Sequence, residues 1–485
     1  MHNISIARIT FAVLVLWTTF LTACNYQSVS AADKPNVLLI SIDDLNDWTG
    51  CLGGHPQAKT PNIDRLAGRG TLFSNAHCQS PVCNPSRASM QTGRYPHTSG
   101  IYFLSPDLQK APKLEGLDTI PERFAKHGYQ TLAAGKIFHG GDQRFFQEYG
   151  GSLGGFGPRP KTKISQPHGH PLWDWGAFPE KDEMMPDYKV AQWAIEKIRT
   201  IPDNADKPFF MGVGFYRPHV PMFAPKKWFD LFPQDQIKLP VINENDRSDL
   251  SNYAIALTNE KHVSPEHSWV VSAGQWEHAV QSYLASIAFA DYCLGLVLDA
   301  LDKSPHQDNT IIVLFSDHGF HLGEKQRWAK RTIWEDGTRV PLIVADKRYA
   351  AGQITTKPAE LIDVFPTLLE LAGLPKDNAQ EGNSLVPLLE NPLADWPYIA
   401  LSSFGKGNFA VRSEHFRYIQ YRDGSEEFYD HRKDSREWDN VINKRAYAKT
   451  IKRHKTHIPI KQEEILPGNS TGHKAYEAAS RFVEN

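Results

Sequence analysis

The sequence predicts an α/β fold with a large, mostly parallel sheet flanked by helices, and a smaller C-terminal α+β subdomain that contains an antiparallel sheet. Residues 36–42 and 310–316 are nearly continuous apolar runs, a pattern typical of strands buried on both faces of a parallel sheet. Segments with helical periodicity alternate with such runs. From about residue 400, short strand-like segments replace this alternation, which indicates the second subdomain.

The elements follow from local signals. The first strand, 36–42, ends at Asp43 and Asp44. Thr60 and Pro61 predict a helix start, with threonine as the N-cap and proline at the first position. The remaining patterns predict, in order, a helix at 85–92 that ends near Gly93, a helix at 119–127, strands at 130–134 and 209–215, a helix at 282–301, strands at 310–316 and 340–345, and a helix at 360–372.

Three regions lack this alternation. Residues 140–187 are rich in Gly, Pro, His and Trp and are expected to form loops over the site. Residues 409–412, 418–421 and 427–429 predict the small antiparallel sheet. The last 40 or so residues are polar, and we expect an extended tail. The predicted division is a signal peptide at 1–23, a tether at 24–33, a catalytic domain at 34–395, and a C-terminal subdomain with its tail at 396–485.

Composition limits the possible partners. The chain has 485 residues, of which 41% are hydrophobic and 22% charged, values ordinary for a soluble globular protein. Its 53 basic and 55 acidic residues give a net charge of −2. That balance provides no global field for nucleic acid or an anionic membrane surface, so an anionic substrate would need a local basic patch.

The N-terminus is a targeting segment. Arg8 precedes an apolar run at 9–20, which stops at Leu21-Thr22-Ala23-Cys24. This tetrapeptide resembles a bacterial lipobox, so we expect lipidation of Cys24. An ordinary secretory signal is the alternative, and a permanent span is disfavoured because the run is short. We therefore expect an exported protein of the periplasm or cell envelope, held to a membrane only through its lipid.

The pentapeptide Cys83-Asn84-Pro85-Ser86-Arg87 is the most informative motif. It fits Cys-x-Pro-Ser-Arg, the pattern at which cysteine is oxidised to formylglycine. A hydrated aldehyde offers a geminal diol, of which one oxygen attacks sulfur and the other later expels sulfate. The N-terminus of the following helix would favour an anion beside residue 83. The structural alternative is a cysteine in a proline-containing turn.

The five cysteines do not form a complete disulfide framework. If Cys24 is lipidated and Cys83 is modified, an odd number remains. One pair, such as Cys51 with Cys78, stays possible.

Acidic residues at strand ends indicate a metal site. Asp43 and Asp44 follow the first strand, and Asp317 with His318 follows the strand at 310–316. Ligands bind at such strand ends in open α/β sheets, and carboxylates suit Ca²⁺ or Mg²⁺. Each pair alone could instead cap a loop or form a turn.

These motifs resemble those of the sulfatase family, within the alkaline-phosphatase-like superfamily, from Lys34 to about Asn440. The type most similar is iduronate-2-sulfatase. Many sulfatases have Asn after the second metal Asp, whereas this chain has His318. The segments that carry the likeness are 41–45, 83–96, 135–140 (Gly-Lys-Ile-Phe-His-Gly), 216–221 (Tyr-Arg-Pro-His-Val-Pro) and 316–330.

The resemblance implies roles for individual residues. Ca²⁺, in preference to Mg²⁺, would be bound by Asp43, Asp44, Asp317, His318 and the formylglycine made from Cys83. Arg87 would hold the diol. The groups expected at the nucleophile and the sulfate are Lys136, His139, His219, which could donate a proton to the leaving oxygen, and Lys330.

Alternatives stay open for several of these side chains. Arg87 could form a surface ion pair, Lys136 could be solvated, and His219 could be a packed loop residue. His321 and Arg327 have no assigned role.

The resemblance implies an exported sulfatase that hydrolyses a carbohydrate sulfate ester, with the 2-O-sulfate of a uronic acid in a glycosaminoglycan or algal polysaccharide as the expected bond. Its partners would be the sulfated saccharide and a formylglycine-generating enzyme. The alternatives are a phosphoester hydrolase of the same superfamily, which Cys83 disfavours, and a lipoprotein that binds sulfated glycans without turnover.

Overall fold

The computed structural model describes residues 34–166, 169–203, 205–259 and 263–483. The signal peptide, the tether and Cys24 lie outside these residues, so their assignment stays a prediction.

Strands occur throughout the described chain. They are β1 Asn36–Ile42, β2 Thr71–Phe73, β3 Ala76–His77, β4 Gln130–Gly135, β5 Glu148–Tyr149, β6 Trp175–Ala177, β7 Phe209–Phe215, β8 Met222–Ala224, β9 Thr310–Ser316, β10 His321–Leu322, β11 Trp328–Ala329, β12 Arg339–Val340, β13 Leu342–Ala345, β14 Gln353–Thr355, β15 Ala359–Glu360, β16 Ala400–Ser403, β17 Phe409–Arg412, β18 Phe416–Gln420 and β19 Glu426–Asp430.

The main sheet has eight strands in the order β14-β2-β13-β9-β1-β7-β4-β5. Its centre is parallel: β1 pairs in parallel with both β7 and β9, and β4 pairs in parallel with β7. Strand β13 runs antiparallel to its neighbours β9 and β2. The prediction of a large, mostly parallel sheet is confirmed.

Both faces of this sheet are buried. In β1, Leu38 and Ile40 belong to one hydrophobic cluster, whereas Val37 and Leu39 belong to the cluster on the opposite face. Because successive side chains of a strand point to opposite faces, a strand covered on both sides must be apolar at nearly every position. This explains the continuous apolar run in the sequence.

Helices cover the two faces of the main sheet and also pack in the C-terminal region. They are α1 Pro61–Ala67, α2 Cys83–Thr92, α3 Pro96–Ser99, α4 Ile120–Lys126, α5 Pro186–Thr200, α6 Lys226–Phe229, α7 Asn252–Thr258, α8 His267–Ser272, α9 Trp276–Asp302, α10 Glu335–Thr338, α11 Val364–Leu371, α12 Val386–Glu390, α13 Ala448–Lys455 and α14 Thr471–Ser480. Short 3-10 helices lie at Leu108–Lys110, Pro112–Leu114, Asp142–Arg144, Asp182–Met184, Gln234–Gln236, Glu324–Gln326, Leu361–Asp363 and Arg445–Tyr447.

Helix α9 is long and apolar enough to cross a membrane by length and composition alone. Its most hydropathic window is 83% buried inside the fold. It packs against α5, α1 and α6 on one face of the main sheet, so its apolar character is that of a core helix.

Several element boundaries differ from the prediction. The helix predicted at 85–92 begins at Cys83 itself and ends at Gly93, whose φ of +69° suits glycine at the C-cap. Pro341 divides the predicted strand at 340–345 into β12 and β13, because proline cannot donate to a ladder. Thr60 precedes α1 but does not cap it, since its hydroxyl accepts from the Gly50 N–H and donates to Asp64.

The C-terminal antiparallel sheet is present with one strand more than predicted, in the order β16-β17-β18-β19. The prediction of an extended tail is wrong for much of its length. Helix α13 packs against β18 and α14 packs against α7. Ile451 on α13 and Tyr476 on α14 are buried apolar side chains that hold these helices in place. Because such residues are widely spaced among polar ones, hydrophobic periodicity did not predict the two helices.

The cysteines of the described chain, including Cys51 and Cys78, are all free. The disulfide that the sequence left open is therefore not formed here.

Candidate active site

Four adjacent strands of the main sheet deliver the predicted site residues. In spatial order these strands are β9, β1, β7 and β4. The residues that follow their carboxyl ends are Asp317 and His318, Asp43 and Asp44, His219, and Lys136, respectively. Parallel neighbouring strands end at one edge of the sheet, so these side chains converge there.

The two acidic turns are bound to each other through the backbone. Asp44 has a φ of +63°, a left-handed conformation that aspartate adopts more readily than most residues. Its N–H donates to Oδ1 of Asp317 at 3.2 Å, and the Leu45 N–H donates to Oγ of Ser316 at 2.9 Å. All three site carboxylates, on Asp43, Asp44 and Asp317, are fully buried.

Cys83 lies at the start of α2, facing this edge. Its Sγ is 3.2 Å from Nε2 of His318 and 3.3 Å from Nζ of Lys330, and its exposure is only 2%. Burial raises the pKa of the Cys83 thiol, but Lys136, Lys330 and His318 together outweigh burial and hold the pKa well below its usual range. The position therefore stabilises a negatively charged group.

Arg87 ties the nucleophile helix to the acidic turns. Its Nε donates to Oδ2 of Asp317 at 2.9 Å, and its Nη2 donates to Oδ1 of Asp43 at 3.0 Å. Nη1 donates to Oγ of Ser41 and to the carbonyls of Lys136 and Ile137. The alternative of a surface ion pair is wrong, because Arg87 is 1% exposed.

Two lysines bind different carboxylates of the cluster. Lys136 Nζ donates to Oδ2 of Asp43 at 2.5 Å, and Lys330 Nζ donates to Oδ1 of Asp44 at 2.5 Å. Burial lowers the pKa of each lysine, but Asp43 and Asp44 respectively outweigh it, so both pKa values lie above the ordinary one. Neither lysine is the solvated side chain that the alternative for Lys136 supposed.

Two further histidines lie at the mouth of the site. His219 Nδ1 is 2.6 Å from the Val220 carbonyl, so Nδ1 carries the proton and Nε2 points inward, 3.7 Å from Oδ2 of Asp44. His139 is exposed, and its side chain contributes to the lowered pKa of the Cys83 thiol. His219 therefore faces the acidic cluster, and His139 lies on its exposed side, near Cys83.

The donor set fits a divalent cation. Ligand atoms of Asp44, Cys83, Asp317 and His318 all lie within 4.8 Å of one another. Within the described residues, the buried Oδ2 of Asp44 has no hydrogen-bond partner. Because Nδ1 of His318 lies 3.0 Å from the Gly319 carbonyl, that nitrogen holds the proton and Nε2 faces the cluster. A hard divalent cation would be coordinated by this free carboxylate oxygen and by the imidazole nitrogen that faces the cluster.

The charge count shows what a divalent ion would add. Three buried carboxylates face three fixed cations, Arg87, Lys136 and Lys330. A divalent ion would leave the centre positive, as binding an anionic ester requires.

The structure adds supporting residues that sequence reasoning missed. Oδ1 and Oδ2 of Asp187 accept the N–H groups of Tyr216 and Arg217, which orients the turn that carries His219. The Phe156 ring lies 4.6 Å from the His219 ring and 5.4 Å from Nζ of Lys136. Asp187 begins a helix and Phe156 lies in a glycine-rich loop, so neither carried a local signal.

His321 also acquires a place. It is fully buried, and its Nε2 lies 2.6 Å from Oγ1 of Thr332, two residues after Lys330. Burial lowers the pKa of His321 to about 3, so it is neutral and supports the Lys330 loop.

Comparison with known proteins assigns the family. A sulfatase family model matches residues 35–374, and a model described as N-sulphoglucosamine sulphohydrolase, C-terminal, matches residues 323–464. The chain belongs to the sulfatase family. Members of this family are sulfuric ester hydrolases, so the predicted enzyme class is confirmed.

Individual relatives agree. A sulfatase of Formosa agariphila is 40% identical over 443 residues, covering 88% of this chain and 87% of that protein. The iduronate 2-sulfatase of Mus musculus is 31% identical over 405 residues, covering 72% and 70%.

The fold is shared more widely than the activity. The solved structure of a phosphonate monoester hydrolase of Agrobacterium radiobacter superimposes with a TM-score of 0.70 at 22% identity, covering 87% of this chain and 94% of that chain. The sheet alone therefore does not separate sulfate from phosphonate chemistry, and the residues at its edge must.

Proposed function

We propose that this protein is an exported sulfatase that removes the 2-O-sulfate of a uronic acid from a glycosaminoglycan or algal polysaccharide, using a formylglycine made from Cys83 and a bound Ca²⁺. The observation that carries the proposal is the position of Cys83, buried at a helix start in contact with Lys330 and beside an acidic cluster with an unpartnered carboxylate oxygen.

The chemistry requires the modification. The hydrated aldehyde supplies the nucleophilic oxygen toward sulfur, and the bound cation supplies orientation and charge for the ester oxygens. The full Cys-x-Pro-Ser-Arg sequence around Cys83 supports modification by a formylglycine-generating enzyme. The ligand set would be Asp43, Asp44, Asp317 and His318 together with residue 83.

The chain's own residues would perform the remaining tasks. Lys330 Nζ lies 3.3 Å from Cys83 Sγ and Lys136 also lowers the pKa of Cys83, so these ammonium groups would bind the sulfate oxygens. The Val220 carbonyl fixes the Nδ1 proton of His219, so Nε2 is the nitrogen that holds or delivers a proton at the leaving oxygen. Exposed His139, which contributes to the lowered pKa of Cys83, would lie between the site and solvent.

The substrate class rests on the relatives. The iduronate 2-sulfatase of Mus musculus acts, by its name, on a uronic acid 2-sulfate, and it shares 31% identity with this chain. His318 in the metal cluster was the sequence feature that suggested the same type.

The test uses purified protein co-expressed with a formylglycine-generating enzyme. We expect an aldehyde at position 83 by peptide mass spectrometry, and hydrolysis of an aryl sulfate well above that of the matching aryl phosphate. A panel of sulfated disaccharides should then show preference for a uronate 2-O-sulfate. Preference for the aryl phosphate would favour the phosphoester hydrolase, and a persistent thiol with tight glycan binding would favour the non-catalytic lipoprotein.

Export through a lipid anchor is proposed separately. We expect labelled fatty acid to be incorporated into wild-type protein in its bacterial host, and the Cys24→Ala variant to remain unlabelled. Cys51→Ala, which changes a cysteine in the folded region, is the matched control. Equal labelling of the Cys24→Ala variant would contradict lipidation at Cys24.

A further inference from the structure

A groove lies on the C-terminal side of the molecule, away from the site described above. Two cavities of about 390 and 420 Å³ share two aromatic lining residues, Trp396 and Tyr398. We call the two adjoining cavities the aromatic groove. Their combined size suits several sugar units, because single-ligand pockets typically measure about 300 to 1,000 Å³.

The groove and the catalytic centre lie at opposite ends of strand β16. The groove is lined by the segment that enters β16 and by the turn between β17 and β18. At the other end of β16, the Ser403 N–H donates to the carbonyl of Gln79, four residues before Cys83. The groove is therefore a separate surface.

Its aromatic centre is held firmly. Trp396 Nε1 donates to the Pro358 carbonyl at 2.8 Å, and the Trp396 and Tyr398 rings pack edge to face with centroids 4.8 Å apart. Tyr398 remains 44% exposed. Rigid, exposed aromatic faces suit the apolar C–H faces of pyranose rings, since little conformational entropy is lost on contact.

One wall of the groove has a surplus of positive charge. Lys449 and Arg453 lie one turn apart on α13, line the cavity and are exposed, and within the described chain neither has an ion-pair partner. The acidic residue of this wall, Glu414, is neutralised by Lys357 Nζ at 2.9 Å and by Thr356 Oγ1 at 2.7 Å. Arginine and lysine in such a setting bind sulfate oxygens through charge-assisted hydrogen bonds.

Helix α13 is fixed in this orientation. Nδ1 of His454 lies 2.8 Å from the Thr450 carbonyl and Nε2 lies 2.9 Å from Oγ of Ser413 in the β17–β18 turn. Lys449 and Arg453 therefore project from a helix whose orientation is fixed by hydrogen bonds.

We propose that the aromatic groove binds a sulfated polysaccharide chain, with Trp396 and Tyr398 stacking on sugar rings and with Lys449 and Arg453 binding sulfate groups. This inference rests on the proposed function in one respect, since it takes the ligand to be the same polymer that the active site cleaves. Holding the polymer at a second site raises the effective concentration of its sulfated units at the centre.

The experiment measures affinity of the full-length protein for heparin, chondroitin sulfate and ulvan, each beside its chemically desulfated form. The test variants are Tyr398→Ala and the double variant Lys449→Ala/Arg453→Ala. The control is Lys444→Ala/Lys452→Ala, which removes two exposed charges near or on α13 that do not line the groove. We expect about tenfold weaker binding of at least one sulfated polymer for each test variant, with the control unchanged and desulfated polymers bound weakly by all.

Measurements of turnover distinguish failure of the groove proposal from failure of the proposed sulfatase function. For the test variants we expect unchanged kcat/KM on a small aryl sulfate and a raised KM on the polymer. Four results would each contradict binding of a sulfated polymer in the groove. They are an equal loss of affinity in the control variant, equal binding of desulfated polymer, unchanged affinity in both test variants, and a changed oligomeric state. Failure to hydrolyse any sulfate ester would instead overturn the proposed function, because polymer binding is measured without turnover.

Discussion

Two buried clusters of carboxylates, arginines and histidine differ in whether their charges are satisfied. In the catalytic centre, Oδ2 of Asp44 has no hydrogen-bond partner among the described residues. At the junction of the main and C-terminal sheets, Glu335, Glu437, Arg412, Arg417 and His431 form a second cluster, and each carboxylate oxygen there is bonded.

Left-handed backbone occurs in both clusters, since Glu437 of the second cluster has a φ of +57°. Ala329 and Arg331, on either side of Lys330, have φ of +71° and +77°, and Asp44 has +63°. Such conformations are costly for non-glycine residues and collect at functional sites. Both clusters contain residues that could ligate a metal, but only the first has a group that still requires one. The unsatisfied carboxylate oxygen, and not backbone strain, therefore distinguishes a site that binds something from an ion-pair network that stabilises the fold.

The largest expected effect is on turnover. Cys83→Ala should lower kcat on a sulfated substrate by more than about a hundredfold, or nearly 3 kcal/mol in the barrier, because the nucleophile is lost. The melting temperature should change little. Cys51→Ala, at a half-buried cysteine outside the site, should retain full activity. Retention of more than about one-hundredth of wild-type activity by Cys83→Ala would contradict the assignment.

A substitution in the cluster at the junction of the two sheets should lower the free energy of unfolding. Glu437→Gln leaves Arg417 buried without its full partner, which should cost about 3 kcal/mol in the free energy of unfolding. Burial raises the pKa of Glu437, but Arg417 outweighs burial and lowers it to about 2. Because the folded pKa lies below the unfolded one, this contribution is present above about pH 4.5 and is lost as pH falls toward 2.

Chemical denaturation at pH 7 and pH 3 measures this effect. The difference between wild type and Glu437→Gln should shrink at the lower pH. Glu414→Gln, in a more exposed pair with Lys357, should cost no more than about 1 kcal/mol. A junction variant as stable as that control would remove the distinction between the two clusters.

Removal of metal should affect the centre and leave the junction intact. Dialysis against a chelator should lower activity at least about tenfold, and added Ca²⁺ should restore it, because Asp44 and Asp317 lose the ion that they orient. Elemental analysis before and after dialysis gives the metal content. Full activity in protein that contains no metal would show that the unpartnered oxygen has another purpose.

The smallest expected effect concerns the strained backbone at Ala329, next to Lys330. Ala329→Gly removes a Cβ from a left-handed position, so it should raise the free energy of unfolding by up to about 1 kcal/mol. We expect kcat to fall, since Lys330 becomes less firmly held. Loss of stability in this variant would mean that the loop stores no strain.

Sequence predicted the fold where the physical signal was local. Buried parallel strands must be apolar at nearly every position, so β1, β7 and β9 were predicted with their observed bounds. The tail was mispredicted because α13 and α14 depend on tertiary contacts of a few residues. The strand ends predicted the acids and the family resemblance implied Lys136, whereas Asp187 and Phe156 act through contacts distant in sequence.

The adjacency of the four catalytic strands is also non-local. No pattern within β4 or β7 states that they lie beside β1, and the order β9-β1-β7-β4 is set by crossover connections. The groove at Trp396 was missed for the same reason, since its walls come from several segments that are distant in sequence.

The bond from Arg417 Nη1 to the Ile333 carbonyl, three residues after Lys330, joins the Lys330 loop to a strand that is synthesised late. Cys83 is only 2% exposed in the completed fold, so another enzyme could not reach its side chain there. The modification proposed for Cys83 would therefore have to take place before the chain has folded completely.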